Sequence, residues 1–341
     1  MTTGSAVPHR RSKRGLSPTR RAALLGGAAV AAAFVSRSPA RAARVLRLGH
    51  ALSAAHPVHQ SMLNFAELVA HRTQDEVNIV VYADGHLGEE PNMIAQTMAG
   101  ALDLTKASAS VLDTVDPRYG IFNIPFLIRD KAHWRRIVTG PPGQAMLNSG
   151  AGTVVGLTFY DAGARSFYAK RSIQRPEDLR GLKIRVQPSP STVRMIELLD
   201  AEPRPMPWIN VYSALETGLI DGAENNLSAL SFGRHAEVVK YYSLTEHTMV
   251  PDVLLMSRRV WDTLPENHRS VLRQAAAESA VLQSTLWEDS EGESRRTAER
   301  LGVTFEVPDK EPFARKLAPM KDEFGRRDGA LRDFIAAVER T

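Results

Sequence analysis

The chain has no cysteine among its 341 residues. Disulfides, thiolate metal sites, a cysteine nucleophile and a lipid-modified N-terminal cysteine are therefore excluded. Other absences narrow the field. No Gly-Lys-Ser/Thr follows the glycines at Gly85 and Gly88, and Glu89 and Glu90 would repel a phosphate, so no nucleotide loop is read there. No HExxH occurs; His56 and His59 have one-turn spacing but lack a third ligand, so no metal site and no cofactor are assigned. Neither a G-x-S-x-G elbow nor an ordered triad or carboxylate pair marks a hydrolase. No basic stripe interleaved with aromatics appears beyond the N-terminal region, which argues against a nucleic-acid partner.

Acidic residues are missing from residues 1–42, which hold eight Lys or Arg. There Arg20-Arg21 precede an apolar run from Ala22 to Val35, and Ala40-Arg41-Ala42 forms an A-x-A cleavage pattern. The run is too short for a membrane span of ~20 residues. The segment reads as an export signal, its paired arginines favouring the twin-arginine route and a periplasmic destination. The formal charge of +5, less these eight, leaves −3 for residues 43–341, so the basic character of the chain belongs largely to the signal. The remaining 299 residues (341 minus 42) suffice for two domains with their own cores.

Val45 to His50 and Val77 to Tyr82 are short β-rich runs flanking Val58, Met62, Phe65 and Val69, which recur at helical spacing behind Pro57. A strand, a helix and a strand in that order predict a βαβ unit with a parallel sheet. Pro91 opens a further helical stretch to Ala101, followed by a strand pattern from Leu102 to Ala107. From Glu266 to Leu301 there are 36 residues without proline, with Leu272, Ala275, Leu282 and Leu286 marking one helical face and Ser279 in the gap.

The stretch from Gly181 to Asn226 is the most informative. Leu182, Ile184 and Val186 form a strand pattern in which Arg185 stands among β-formers. A guanidinium there is expensive to bury alone and should meet an anion, ideally a carboxylate held through two parallel hydrogen bonds. Pro205-Met206-Pro207-Trp208, a helical segment Val211 to Thr217, and Asp221-Gly222-Ala223-Glu224-Asn225-Asn226 follow. This arrangement closely resembles the solute-binding proteins of TRAP transporters, the tripartite ATP-independent periplasmic carriers of organic acids, and the likeness runs from about Leu46 to the C-terminal region.

The resemblance implies a two-lobed α/β fold, each lobe a sheet flanked by helices, with a long helix spanning both. It implies interleaved lobes, residues 44–162 plus 251–290 in lobe I and 163–250 plus 291–341 in lobe II. It gives Arg185 the main carboxylate clamp and Arg165 a second contact. Asn225 becomes a reader of a hydroxyl or carboxylate oxygen, and Trp208 an aromatic cover that could pack on the C–H face of a sugar. Glu90, in the Leu-Gly-x-Glu loop, becomes a cleft contact. Asn226 replaces a proline common at its place and adds a further polar candidate. Ser108 stands where some sialic-acid-binding members carry an acid, which counts against sialic acid. His50 and His56 are read as neutral ligand-facing histidines, and Asp252 as a contact where the chain returns to the first lobe.

The implied function is capture of an organic acid for delivery to TRAP membrane subunits by a monomeric protein that is not an enzyme. One clamp and many neutral polar groups favour a sugar acid, a uronate or aldonate. A small dicarboxylate is the nearest alternative, disfavoured because Glu90 would repel a second carboxylate. An exported hydrolase and a receptor-linked sensing module are the readings from other classes. If Arg20-Arg21 are the export signal's twin arginines, changing both to lysine leaves precursor in the cytoplasm. Fractionation that finds an undiminished periplasmic yield would assign export to the general secretory route.

Overall fold

The computed structural model describes residues 43–148 and 152–341, so the expected export signal lies outside the described residues. In chain order the strands are β1 (Arg44–Gly49), β2 (Val77–Tyr82), β3 (Leu104–Ser108), β4 (Val154–Tyr160), β5 (Arg165–Ala169), β6 (Lys183–Val186), β7 (Glu202–Pro205), β8 (Gly222–Asn225), β9 (Tyr241–Thr248), β10 (Asp252–Ser257) and β11 (Thr304–Glu306). They form two sheets, in the orders β2-β1-β3-β10-β4 and β11-β9-β5-β8-β6-β7. Each sheet anchors one lobe of an α/β structure.

β1 pairs in parallel with β2 and β3, as the strand–helix–strand pattern predicts. Parallel neighbours need a crossover, and the helix Pro57–Arg72 supplies the first one. It buries Val58, Met62, Phe65 and Val69 against the first sheet. The next helix, Glu90–Ala99, ends two residues before the expected Ala101, because Gly100 takes the left-handed conformation (φ 79°) that closes a helix. After the second sheet is largely built, β10 returns and inserts antiparallel between β3 and β4. That return places Asp252 opposite Ser108.

The helix Glu266–Arg300 runs 35 residues without a break at Gly292, or ~52 Å at 1.5 Å per residue. Its buried face differs from the expected one. Leu282 is exposed and Leu286 only half-buried; the face continues instead through Ser279, Gln283 and Trp287, all fully buried. Leu272, Ala275 and Ala276 belong to the first sheet's core and Ala298 to the second's, so one helix serves both lobes. Between these ends it meets the crossing from β4 to β5, where backbone needs partners. Gln283 accepts from Asp161 N–H at 2.8 Å and donates to the Asp161 carbonyl at 2.7 Å. Ser279 meets the Tyr160 hydroxyl at 2.9 Å. A polar residue at a crossing is why apolar periodicity mislaid the face. Among the described residues no helix is long and apolar enough to cross a membrane.

The stretch 291–341 packs on both sheets. Phe313, Leu317 and Met320 pack on the second sheet's core. Phe324, Leu331, Ile335 and Val338 join the first sheet's core instead, beside Tyr119 and Phe122. The tail is amphipathic in short pieces, and each piece is buried by whichever lobe it reaches.

Gly163 lies in the β4–β5 crossing at φ 64°, a left-handed conformation that strains other L residues. A Cβ there would run into the Glu291 carboxylate and come within 3.0 Å of Trp287 Nε1. Gly163→Ala should therefore lower stability by ~1–2 kcal/mol or more in urea unfolding. An unchanged midpoint would mean that the crossing yields freely.

Candidate functional site

Nine of the ten residues singled out in the sequence line one cavity between the two sheets. The wall from the second lobe carries Arg185. Its strand neighbours Ile184 and Val186 point into the core, and Arg185, its side chain on the opposite face, is 2% exposed. Nε and Nη2 donate to the Met206 carbonyl at 3.2 and 2.9 Å. Met206 is within reach because β6 and β7 run in parallel, pairing Arg185 with Arg204 and Val186 with Pro205. Nη1 is buried and has no hydrogen-bond partner among the described residues. Burial pushes the Arg185 pKa down to about 10, with Tyr168 and Glu224 opposing that and Arg165 adding to it. The group thus remains a cation at neutral pH without a carboxylate in contact.

Arg165 lies in the same cavity wall and is already paired within the protein. Its Nε and Nη2 grip the Glu224 carboxylate at 2.6 and 2.9 Å, and Nη2 also reaches the Glu224 carbonyl at 2.9 Å. Nη1 donates to Asn225 Oδ1 at 2.6 Å. Its charge is neutralised internally, because antiparallel pairing of β5 with β8 sets Ser166 opposite Asn225. Burial raises the Glu224 carboxyl, but Arg165 and His247 outweigh it and hold the pKa at about 2. The acid was visible in Asp221-Gly222-Ala223-Glu224, yet its partner lies 59 residues earlier, where no local pattern points.

Arg165 also settles what Asn225 can offer. Asn225 Oδ1 accepts from Arg165 and from the Asn226 N–H at 2.9 Å, so its amide nitrogen is left to donate. Asn226 Oδ1 accepts from Ser228 Oγ at 2.7 Å. His56 Nδ1 accepts from Val58 N–H and caps the helix Pro57–Arg72. A neutral ring then carries its proton on Nε2, which faces Ser228 Oγ at 3.4 Å. Trp208 lines the cavity half-buried, its ring 5.0 Å from that of His235. His50 is the exception among the ten. It is fully buried outside this cavity, its Nε2 2.9 Å from His59 Nδ1.

The first-lobe wall holds a group that sequence reasoning missed. Lys106 on β3 is 3% exposed, and its ammonium lies 3.1 Å from Glu90 Oε2 and 2.9 Å from Asp252 Oδ1. Burial opposes its charge, but Asp252 and Glu90 outweigh that and raise its pKa. Glu90 also accepts from the Ser108 N–H at 2.7 Å. Glu90, expected as a cleft contact that accepts hydroxyls, is thus one member of a cluster. Ser108 Oγ reaches across to Gln187 Oε1 at 3.2 Å, and Asn123 Nδ2 reaches Ser189 Oγ at 3.3 Å. Trp287 from the long helix completes the lining. A lysine within a strand and a tryptophan in a polar helix carry no local signal for such roles.

Residues 48–328 match the model of the bacterial extracellular solute-binding proteins, family 7. A TRAP periplasmic solute-binding protein of Xanthobacter autotrophicus, solved with β-D-galacturonate, is 39% identical with a TM-score of 0.85, covering 87% of this chain and 99% of that one. A counterpart from Anaerococcus prevotii, with α/β-D-glucuronate, is 37% identical with a TM-score of 0.85, covering 87% and 97%. The 2,3-diketo-L-gulonate-binding periplasmic protein YiaO of Escherichia coli is 31% identical over 248 residues, 72% of this chain and 75% of that one.

The buried histidines in and around the site give the fold a pH signature. Burial holds His56 and His235 near pKa 3 and His50 near 2, against 6.5 in an unfolded chain. Below pH 6.5 the unfolded state therefore binds protons that the folded state refuses, so stability falls as pH drops, by up to ~1.4 kcal/mol per pH unit for each ring. Glu224, depressed from 4.5 to about 2, adds a second loss as pH falls through that window. Urea midpoints should decline from pH 6.5 downward and steepen below 4.5. A flat profile from pH 7 to 4 would mean that these rings are hydrated and not buried.

Proposed function

The chain belongs to the bacterial extracellular solute-binding proteins of family 7, and from that premise we propose that it captures a sugar acid, a uronate or aldonate. The observation that carries the reading is Arg185, a buried guanidinium with Nη1 unpartnered and no carboxylate in contact. A carboxylate placed there supplies the missing acceptor and the missing charge together. Glucuronate, galacturonate and diketogulonate are named as bound by the relatives above, which supports the same class here.

Asn225 then donates to the carboxylate or to an adjacent hydroxyl, while Arg165 keeps it oriented and does not touch the ligand's charge. Trp208 covers an apolar C–H face, and His56, Ser108, Asn226, Glu90 and Asp252 serve the hydroxyls. Residues 44–162 with 251–290 would move as lobe I and 163–250 as lobe II, with the C-terminal tail divided between them. Closure brings both walls onto the ligand, so affinity is what remains after reaching the closed state. The protein acts in the periplasm as a monomer, carries out no turnover, and hands its ligand to TRAP membrane subunits.

Uronates or aldonates should raise the melting temperature, and succinate or malate should do so far less. Arg185→Ala should weaken binding roughly thirty- to several-thousand-fold, the range for breaking a buried hydrogen-bonded charge pair. Arg185→Lys keeps the charge and loses the planar fork, so a substantial loss is expected there too. Asn225→Ala removes neutral hydrogen bonds worth ~0.5–1.5 kcal/mol each and should do less harm. Titration calorimetry on the three variants checks this order. Near-wild-type affinity in Arg185→Lys, or a C4 dicarboxylate that outbinds every sugar acid, would overturn the assignment.

A further inference from the structure

Resting on the sugar-acid reading, we infer that Lys106, Glu90 and Asp252 form a subsite that takes a vicinal diol and turns away a second carboxylate. The protein would then accept sugar monoacids and exclude aldarates, the diacids of the same carbon count. Three observations converge. First, the three groups are joined and mostly buried: Lys106 is 3% and Asp252 8% exposed, with the ammonium between the two carboxylates. Second, they share the cavity with Arg185, whose Nη1 is unpartnered, so the cationic and acidic walls serve one ligand space. Third, the walls face each other. Ser108, two residues along β3 from Lys106, bonds across to Gln187, two residues beyond Arg185.

The chemistry of the cluster is asymmetric. Two carboxylates and one ammonium sum to −1, and two of the three ammonium N–H groups are spent on the carboxylates. A ligand hydroxyl fits because it can donate to Glu90 or Asp252 while accepting from the remaining Lys106 N–H. Two adjacent hydroxyls can satisfy both acids. A ligand carboxylate can only accept, and it would confront two fixed negative charges for one shared cation. Like charges brought together in a desolvated interface are strongly unfavourable. Selection against the second carboxylate thus comes from the net charge of the cluster and from its shortage of donors, not from Glu90 alone.

Galactonate and galactarate are both open chains of six carbons and differ in the second carboxylate, while galacturonate adds the ring form. Titrated into the wild-type protein, galactarate should bind on the order of 100-fold more weakly than the better of the two monoacids. In Glu90→Gln and in Asp252→Asn, each assayed separately and checked for fold by circular dichroism, that ratio should shrink about tenfold. Each change removes one negative charge and adds an amide donor. Galactarate binding within about threefold of the better monoacid in wild type would overturn the subsite. So would a ratio that stays put in both folded variants. Failure of every sugar acid to bind wild type would instead strike the reading beneath it, and the subsite would fall with that reading.

Discussion

Two guanidiniums are buried in the second-lobe wall of the cavity, and among the described residues Glu224 is the carboxylate in contact with one of them, Arg165. Much of the site follows from that imbalance. Glu224 goes to Arg165 because β5 and β8 are adjacent and antiparallel, and the pair is further fixed by Asn225 and the Glu224 carbonyl. Arg185 is left with the Met206 carbonyl, a dipole in place of a counter-charge. A buried ion pair adds little net stability, since desolvation offsets most of its attraction, whereas an unpaired buried charge is costly. The fold carries that cost in the wall of the cleft.

The first-lobe wall solves the opposite problem. Glu90 and Asp252 would repel each other in a dry cavity, and Lys106 between them makes both tolerable. The wall stays mildly acidic and rich in acceptors, the second-lobe wall cationic and rich in donors. The two walls of one cavity thus differ in charge. The two walls are held in register by a polar crossing: Gln283 brackets Asp161 on both backbone groups, and Ser279 holds Tyr160. Polar residues on the buried face of the long helix thus have a structural reason where the chain passes from one lobe to the other.

Several misreadings of the sequence share one physical origin. The long helix was legible from its length without proline, but its inner face was not, since Gln283 and Ser279 look like surface residues until the crossing backbone is set against them. His50 and His56 looked equivalent. The strand end takes His50 behind the wall, while the helix cap turns His56 toward Ser228. Arg165 and Arg185 both read as anion contacts, and only the position of Glu224 separates them.

The α/β alternation and the helix Pro57–Arg72 were legible in the sequence itself, because they rest on periods of two and 3.6 residues within a short window, whereas the stretch carrying Arg185, Trp208 and Asn225 stood out by its resemblance to a family. Charge compensation is a sum over neighbours in space. Arg165 meets Glu224 across 59 residues of chain, and Lys106 meets Asp252 across 146. Those meetings depend on strand order and register in two interleaved sheets, which no local pattern encodes. Only the tertiary structure could therefore decide which cation is neutralised, which acid is shielded, and which buried arginine is left without a counter-charge.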